Sequence, residues 1–174
     1  MRGSRFCAAA LLVLHGAWSR ADVVHLDPAA FVESRIGAEA PAQALWLTRD
    51  VQARIARVLG HPYPQARLRY WRSERGMAFV LDEIGKEFPI TAGFAVRNGR
   101  LVDARLLVYR ESRGQEIGQS AFLRQFDGVG LTPSLDLDKE IDGITGATMS
   151  VDAMKRMARV ALLLAGQIEG GAGR

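Results

Sequence analysis

Cysteine is all but missing from this chain: among 174 residues there is one, Cys7. It falls inside an N-terminal stretch that reads as a secretory signal, so the mature protein is expected to have no disulfide, thiolate metal site or c-type haem attachment. Nor does Cys7 stand in a lipidation signal, because Gly3, Ser4, Arg5 and Phe6 precede it where an apolar run would be needed. Histidine is scarce too. His25 and His61 are not set beside carboxylates at ligand spacing, and no metal site is expected. No apolar run approaches the roughly 20 residues that a bilayer span requires. The Gly-x-Gly-x-x-Gly and Gly-x-x-x-x-Gly-Lys-Ser/Thr patterns are both absent, which leaves nothing to hold NAD or ATP. A surplus of one charge is lacking as well: the formal +4 falls close to balance once Arg2, Arg5 and Arg20 leave with the signal, and nucleic-acid binding loses its support.

The signal itself has the usual three parts. Arg2 and Arg5 give a positive start, Phe6 to Leu14 an apolar middle, and Ser19-Arg20-Ala21 a small-x-small cleavage site. Residues 1–21 are therefore expected to be a cleavable signal peptide that sends the protein to the periplasm or otherwise out of the cytoplasm. An uncleaved membrane anchor is the alternative that the short apolar stretch disfavours. Residues 22–174 remain, about 153 of them, the size of one ordinary domain with a sizeable core.

Within that domain the apolar spacing predicts a helix over Pro41 to Leu59, with Leu45, Thr48, Gln52, Ile55, Val58 and Leu59 on one face and Gly60 and Pro62 closing it. Short strands are expected at Leu68 to Trp71 and Met77 to Leu81. Tyr70 and Trp71 could serve the core or line a ligand pocket. Asn98-Gly99 between two Val-, Leu- and Phe-rich runs, Ile90 to Arg97 and Arg100 to Tyr109, predicts an antiparallel hairpin with a type I′ turn. Gln119 to Phe126 reads as a short helix, Gly128 to Leu135 as a loop, and Asp136 to Asp142 as an acidic approach to a Gly- and Thr-rich turn. From about Ser150 the positions Val151, Met154, Ala158, Ala161, Leu162 and Ala165 mark a long helix, and the Gly-rich end from Gly170 to Arg174 is expected to fray. Strands in the middle with helices at either end argue an α+β fold, a single domain with a central, mainly antiparallel sheet flanked by helices.

The segment just before the long helix is the most informative. Asp142-Gly143-Ile144-Thr145-Gly146-Ala147-Thr148 places a threonine hydroxyl beside two small neighbours, so that a bulky donor could approach Thr148 without a steric wall. A helix start adds unpaired N–H groups and a partial positive charge that favour an anion such as a phosphodiester. Thr148 or Ser150 would cap the helix, and Lys155, Arg156 and Arg159 would add a basic face. Taken alone, Thr-Gly-Ala-Thr could be no more than a loop glycine with a capping threonine. With Asp142 included, the pattern Asp-x-x-[Ser/Thr]-Gly-Ala-[Ser/Thr] should arise by chance in about one chain per thousand of this length.

On these residues the chain resembles the FMN-binding domain family, whose members include one component of the sodium-translocating NADH:quinone oxidoreductase, one component of the Rnf electron-transport complex, and small exported flavoproteins. The resemblance extends to Ile84-Gly85-Lys86, to Pro89-Ile90-Thr91, to Tyr109 through Ile117 with its Glu111-Ser112-Arg113-Gly114 turn, and to Phe122-Leu123-Arg124-Gln125-Phe126-Asp127-Gly128. It runs from about Ile84 to Leu164. The Glu-Ser-Arg-Gly turn is closer to the small exported members than to the components of the large complexes.

The resemblance implies FMN joined covalently, through its phosphate, to Thr148 by a flavin transferase that uses FAD and magnesium. Asp142, Thr145, Gly146 and Ala147 would form the motif that the transferase reads. Glu111, Arg113 and Gly114 would sit near the flavin from an opposite loop, although Glu111 and Arg113 could equally be a solvated pair at a strand end. The function so implied is that of an exported electron-transfer flavoprotein, an electron carrier more than an enzyme with its own substrate and without catalytic residues of its own. Its partners would be the flavin transferase and redox proteins, soluble or membrane-bound. The alternatives are a flavin-free exported binding or scaffold module and a small flavin-dependent reductase.

Overall fold

Along Gly76–Ile84 the side chains alternate with the period of a strand, with Met77, Phe79, Leu81 and Glu83 on one face and Ala78, Val80, Asp82 and Ile84 on the other. Both faces of the sheet built on this strand are used. In the computed structural model, which describes residues 22–171, six strands form one antiparallel sheet: β1 (Val23–Val24), β2 (Ala42–Trp46), β3 (Arg67–Ser73), β4 (Gly76–Ile84), β5 (Pro89–Arg97) and β6 (Arg100–Tyr109). Their spatial order is β1-β6-β5-β4-β3-β2. Four α-helices complete an α+β domain: α1 (Pro28–Ile36), α2 (Arg49–Leu59), α3 (Ser120–Leu123) and α4 (Thr148–Gly171).

The larger core lies between the sheet and the pair α2 and α4. There Phe79, Phe94, Ile55, Met154 and Met157 are lost to solvent completely or nearly so. The smaller core lies on the opposite face, where Phe31, Val32 and Ile36 of α1 cover Ala78, Ala95 and Leu107. Three layers result, helix, sheet and helix pair. A salt bridge of 2.7 Å from Arg35 to Asp103, itself paired to Arg105 at 2.9 Å, anchors α1 to β6. Burial raises the Asp103 carboxyl pKa and the two guanidiniums pull it back.

The hairpin anticipated at Asn98-Gly99 joins β5 to β6. Asn98 and Gly99 take φ of 52° and 70°, the left-handed pair that a type I′ turn demands. The stretch from Pro41 to Leu59 is not one helix. Ala42–Trp46 pairs with β3 as an edge strand, and helix begins only at Arg49, after Thr48 accepts the N–H of Val51 and caps it. At the other end Gly60 closes α2 in the left-handed region. Helix α1 is set by Asp27, whose carboxylate accepts from Ala29 and Ala30, and by Pro28 in the first turn. Tyr70 is core: it is buried, stacks on Phe79 at 6.1 Å between ring centroids and donates to Gln43. The Gly-rich end does not break α4, which continues through Gly170 and Gly171. The anticipated signal, residues 1–21, lies outside the described residues.

Close packing of α1 depends on a missing side chain. A Cβ on Gly93 would lie 2.6 Å from two carbons of the Phe31 ring, which is fully buried and has nowhere to retreat. Gly93→Ala should therefore destabilise the domain by about 1–3 kcal/mol. Urea denaturation of Gly93→Ala, Phe31→Leu and the double variant checks this, with the double variant expected to lose less than the sum of the single losses.

Candidate functional site

The end of β6 organises the motif. The Tyr109 ring is fully buried, and its hydroxyl donates to the carbonyl of Arg113 while standing 3.0 Å from the Ser150 hydroxyl in the first turn of α4. Burial raises the pKa of this phenol and keeps it a donor. Gly114 fits beneath it with φ of 90°; a Cβ there would be 2.7 Å from the Tyr109 hydroxyl and 3.2 Å from the Ala147 methyl. Loop 111–114 is thereby pressed directly onto the motif. Ala147 is buried on the inner side of the motif, whereas Thr145, Gly146 and Thr148 are exposed.

Glu111 has a structural part that the sequence did not suggest. It is a buried carboxylate rather than a solvated partner of Arg113, and its Oε1 accepts the backbone N–H groups of Lys86, Glu87 and Phe88 at 2.6, 2.7 and 2.9 Å. One charged oxygen thus holds the turn between β4 and β5, a strong arrangement because each bond is charge-assisted. Arg113 is exposed and contributes its carbonyl to Tyr109.

The motif approaches α4 through a second clamp. Gln125 accepts the N–H of Asp142 on its side-chain oxygen at 2.7 Å, and its carbonyl accepts from Lys139 at 3.2 Å. The Asp142 side chain is exposed. Ala147 donates to the carbonyl of Ile144 at 3.0 Å, Gly146 takes φ of 84°, and the carbonyl of Ala147 receives the first helical bond, from Val151. Ala147 therefore holds the capping position without a side chain that can cap. Neither threonine nor serine caps α4: Thr148 is the first helical residue, and Ser150 is turned inward to Tyr109. Among the described residues nothing accepts from the N–H groups of Thr148, Met149 and Ser150. They stand beside the exposed hydroxyl as free donors at the positive end of a 24-residue helix.

The anticipated basic face is mostly consumed. Arg156 binds Glu83 at 3.0 Å and the carbonyl of Ile84 at 3.1 Å, and Arg159 binds Asp136 at 3.0 Å and the carbonyl of Leu135. Lys155 alone of the three has no ion pair among the described residues. Glu83 also receives His61, whose Nε2 is 3.2 Å from both carboxylate oxygens. His61, isolated along the sequence, thus meets a carboxylate that the sheet brings to it from 22 residues away.

An open cavity of about 400 Å³ adjoins the motif, lined by Ser112 to Glu116 with Thr145 and Gly146. That is within the range of small-molecule sites, about 300–1,000 Å³. A larger cleft of about 740 Å³ includes Ile84 and Pro89 but none of the motif residues, and Trp71 lines it. The site residues read from the sequence, Asp142 through Thr148 with Glu111 and Gly114, therefore lie together at one end of the sheet. Tyr109, Ser150 and Gln125 were missed as organisers. Gln125 was visible within the Phe-x-x-Gln-Phe-x-Gly pattern, and only its bond to Asp142 required the fold. Comparison with known families matches residues 85–163 to the FMN-binding domain. No curated protein and no solved structure matches the chain.

Two measurements test this arrangement. Glu111→Gln should lose about 1–3 kcal/mol, because the charge that draws three N–H groups is gone. Hydrogen exchange should show the protection lost first at Lys86, Glu87 and Phe88. His61 has its pKa raised above the ordinary 6.5, chiefly by the carbonyl of Pro62 and then by Glu83. A raised value means that the folded state binds the proton more tightly. The contribution is complete below about pH 6.5 and vanishes as pH rises through the folded-state value. Thermal melts of the parent and His61→Gln at pH 5.5 and 8.5 should differ more at the lower pH.

Proposed function

We propose, from the match of residues 85–163 to the FMN-binding domain family, that the protein is an exported electron-transfer flavoprotein carrying FMN as a phosphoester on Thr148. The observation that carries the reading is the state of Thr148: an exposed hydroxyl at the start of a long helix, beside three N–H groups without acceptors and a glycine around which a Cβ would meet nothing within 4 Å. Such a place suits a phosphate, since the oxygens would find the donors that the helix cannot satisfy itself. The adjoining cavity has room for a planar ring system held over loop 112–116.

A bound flavin accepts two electrons together and releases them singly, which lets one small domain connect donors and acceptors of different stoichiometry. The chain's own part is placement. Ala147 turns inward and locks the helix start to Gly114, so the Thr148 hydroxyl leaves the surface in a fixed direction. Tyr109 and Ser150 hold the loop and helix at one separation. In maturation by a flavin transferase, the bond from Thr148 Oγ1 to phosphorus forms as the pyrophosphate of FAD breaks. AMP departs, and the hydroxyl proton passes to a base of the transferase. Asp142, exposed and upstream of the turn, is available to that enzyme as a recognition point. Export through residues 1–21 would make the ester useful, because dissociated FMN could not readily be replaced outside the cytoplasm. Redox proteins, including membrane-bound ones, would then be its partners.

Co-expressed with a flavin transferase and exported, the protein should be yellow and, after denaturation, heavier by one FMN residue in the intact mass. Thr148→Ala should remove the increment while leaving the thermal melt nearly unchanged, since the side chain is exposed. A bare-polypeptide mass for the parent would end the proposal.

A further inference from the structure

Strands β3 and β4 begin as a tight hairpin and then part. Their ladder runs from Ser73 and Gly76 to Tyr70 and Phe79 and stops. Beyond that point β3 stays paired with β2 as far as Arg67, and β4 stays paired with β5 as far as Ile84. Arg67–Arg69 and Val80–Asp82 therefore face each other across the middle of the sheet without pairing, and the cleft of about 740 Å³ opens between them. A two-residue turn makes Ser73 and Gly76 a hydrogen-bonded pair, and the alternation then directs the backbone N–H and C=O groups of Arg69, Arg67, Val80 and Asp82 into the gap. Interior strands rarely leave such groups unpaired.

The lining is apolar in its body and cationic at its free side chains. Trp71 and Tyr63 are half-buried walls, joined by Val80 and the exposed Ile84. Of the two lining carboxylates, Glu83 is paired with His61 and Arg156, while Asp82 accepts the Thr91 hydroxyl and has no ion pair among the described residues, so Arg67 and Arg69 together outweigh one free carboxylate. Arg69 has no ion pair among the described residues, and Arg67 has only the face of Trp46, 5.9 Å from its guanidinium. The gap closes at Tyr70 and Phe79, so an extended chain could not run through it. A flat molecule with its charge at the mouth fits a wedge of this shape, and the volume is that of a small-molecule site.

We propose that this cleft binds a planar aromatic anion, its ring against Trp71 and Tyr63 and its charge on Arg67 and Arg69. The site is separate from the motif and needs no flavin, so the Thr148→Ala protein tests it independently of the covalent attachment. The probe is 2-naphthalenesulfonate, titrated by calorimetry and by quenching of tryptophan fluorescence, with neutral 2-naphthalenesulfonamide as the control. One saturable site is expected, at least tenfold weaker for the sulfonamide and for the Arg67→Gln/Arg69→Gln variant, whose altered side chains are exposed. Ala44→Glu, which adds bulk and negative charge to an exposed wall residue, should abolish binding without touching the core. Absence of saturation at millimolar probe overturns the proposal, as does equal binding by the sulfonamide or by the double arginine variant.

Discussion

Two side chains at the end of β6 hold the proposed site together. Tyr109 and Glu111 are separated by one residue, and from that single chain segment they engage the three pieces that meet there: loop 111–114, the turn between β4 and β5, and the first turn of α4. The Tyr109 to Ser150 contact is buried and the other bonds are partly buried, and in such places an unmet donor or acceptor costs more than the bond gains. That asymmetry gives the arrangement its rigidity. Moving α4 by a fraction of its diameter would break the buried contact between the Tyr109 and Ser150 hydroxyls. Gly114 is the geometric condition for all of this, since any larger residue would force the loop off Ala147.

Rigidity of the frame is matched by openness at Thr148. Most of α4 faces the core, from Val151 through Met154 and Met157 to Ile168, and its position is set by that burial rather than by its N-terminus. A helix so anchored can leave its first turn uncapped. Most helices spend a serine, threonine or aspartate on those N–H groups, whereas here the capping position is Ala147 and the threonine stands one residue later, facing outward. The lost capping is worth about 1 kcal/mol, small against a core face of this length.

How much of this could be read from residues alone depends on the range of the interactions involved. The hairpin at Asn98-Gly99 was legible because its turn demands left-handed angles that few dipeptides supply, and α4 because its apolar positions recur at helical spacing along most of its length. The stretch from Pro41 to Leu59 was misread where local pattern and tertiary pairing disagree. Leu45 falls in phase with the helical face that begins after Thr48, yet Ala42–Trp46 gains its hydrogen bonds from β3, on the far side of α2 in the sequence. The role of Glu111 was hidden for a similar reason, its three donors lying 23 to 25 residues upstream. The motif was the easiest part to find, because Thr148 and its small neighbours are adjacent in the chain.

The divergence of β3 and β4 shows how a sheet can open without giving up its core. Side chains on the helix-facing side, Tyr70, Phe79 and Leu81, remain buried on either side of the split, and Leu68 continues that face along β3. What is given up is the backbone pairing of a few residues, exposed to water in the cleft where N–H and C=O groups can be solvated. Those groups lose only the modest net worth of a hydrogen bond, about 1 kcal/mol each, whereas separating the buried faces would cost several. The Arg156 to Glu83 pair fixes the β4 side of the opening to α4, and the β2 ladder fixes the β3 side, so each half of the sheet is held by a different neighbour. A cleft held open from both sides in this way is a preformed cavity, and a ligand entering it would not have to meet the cost of making it.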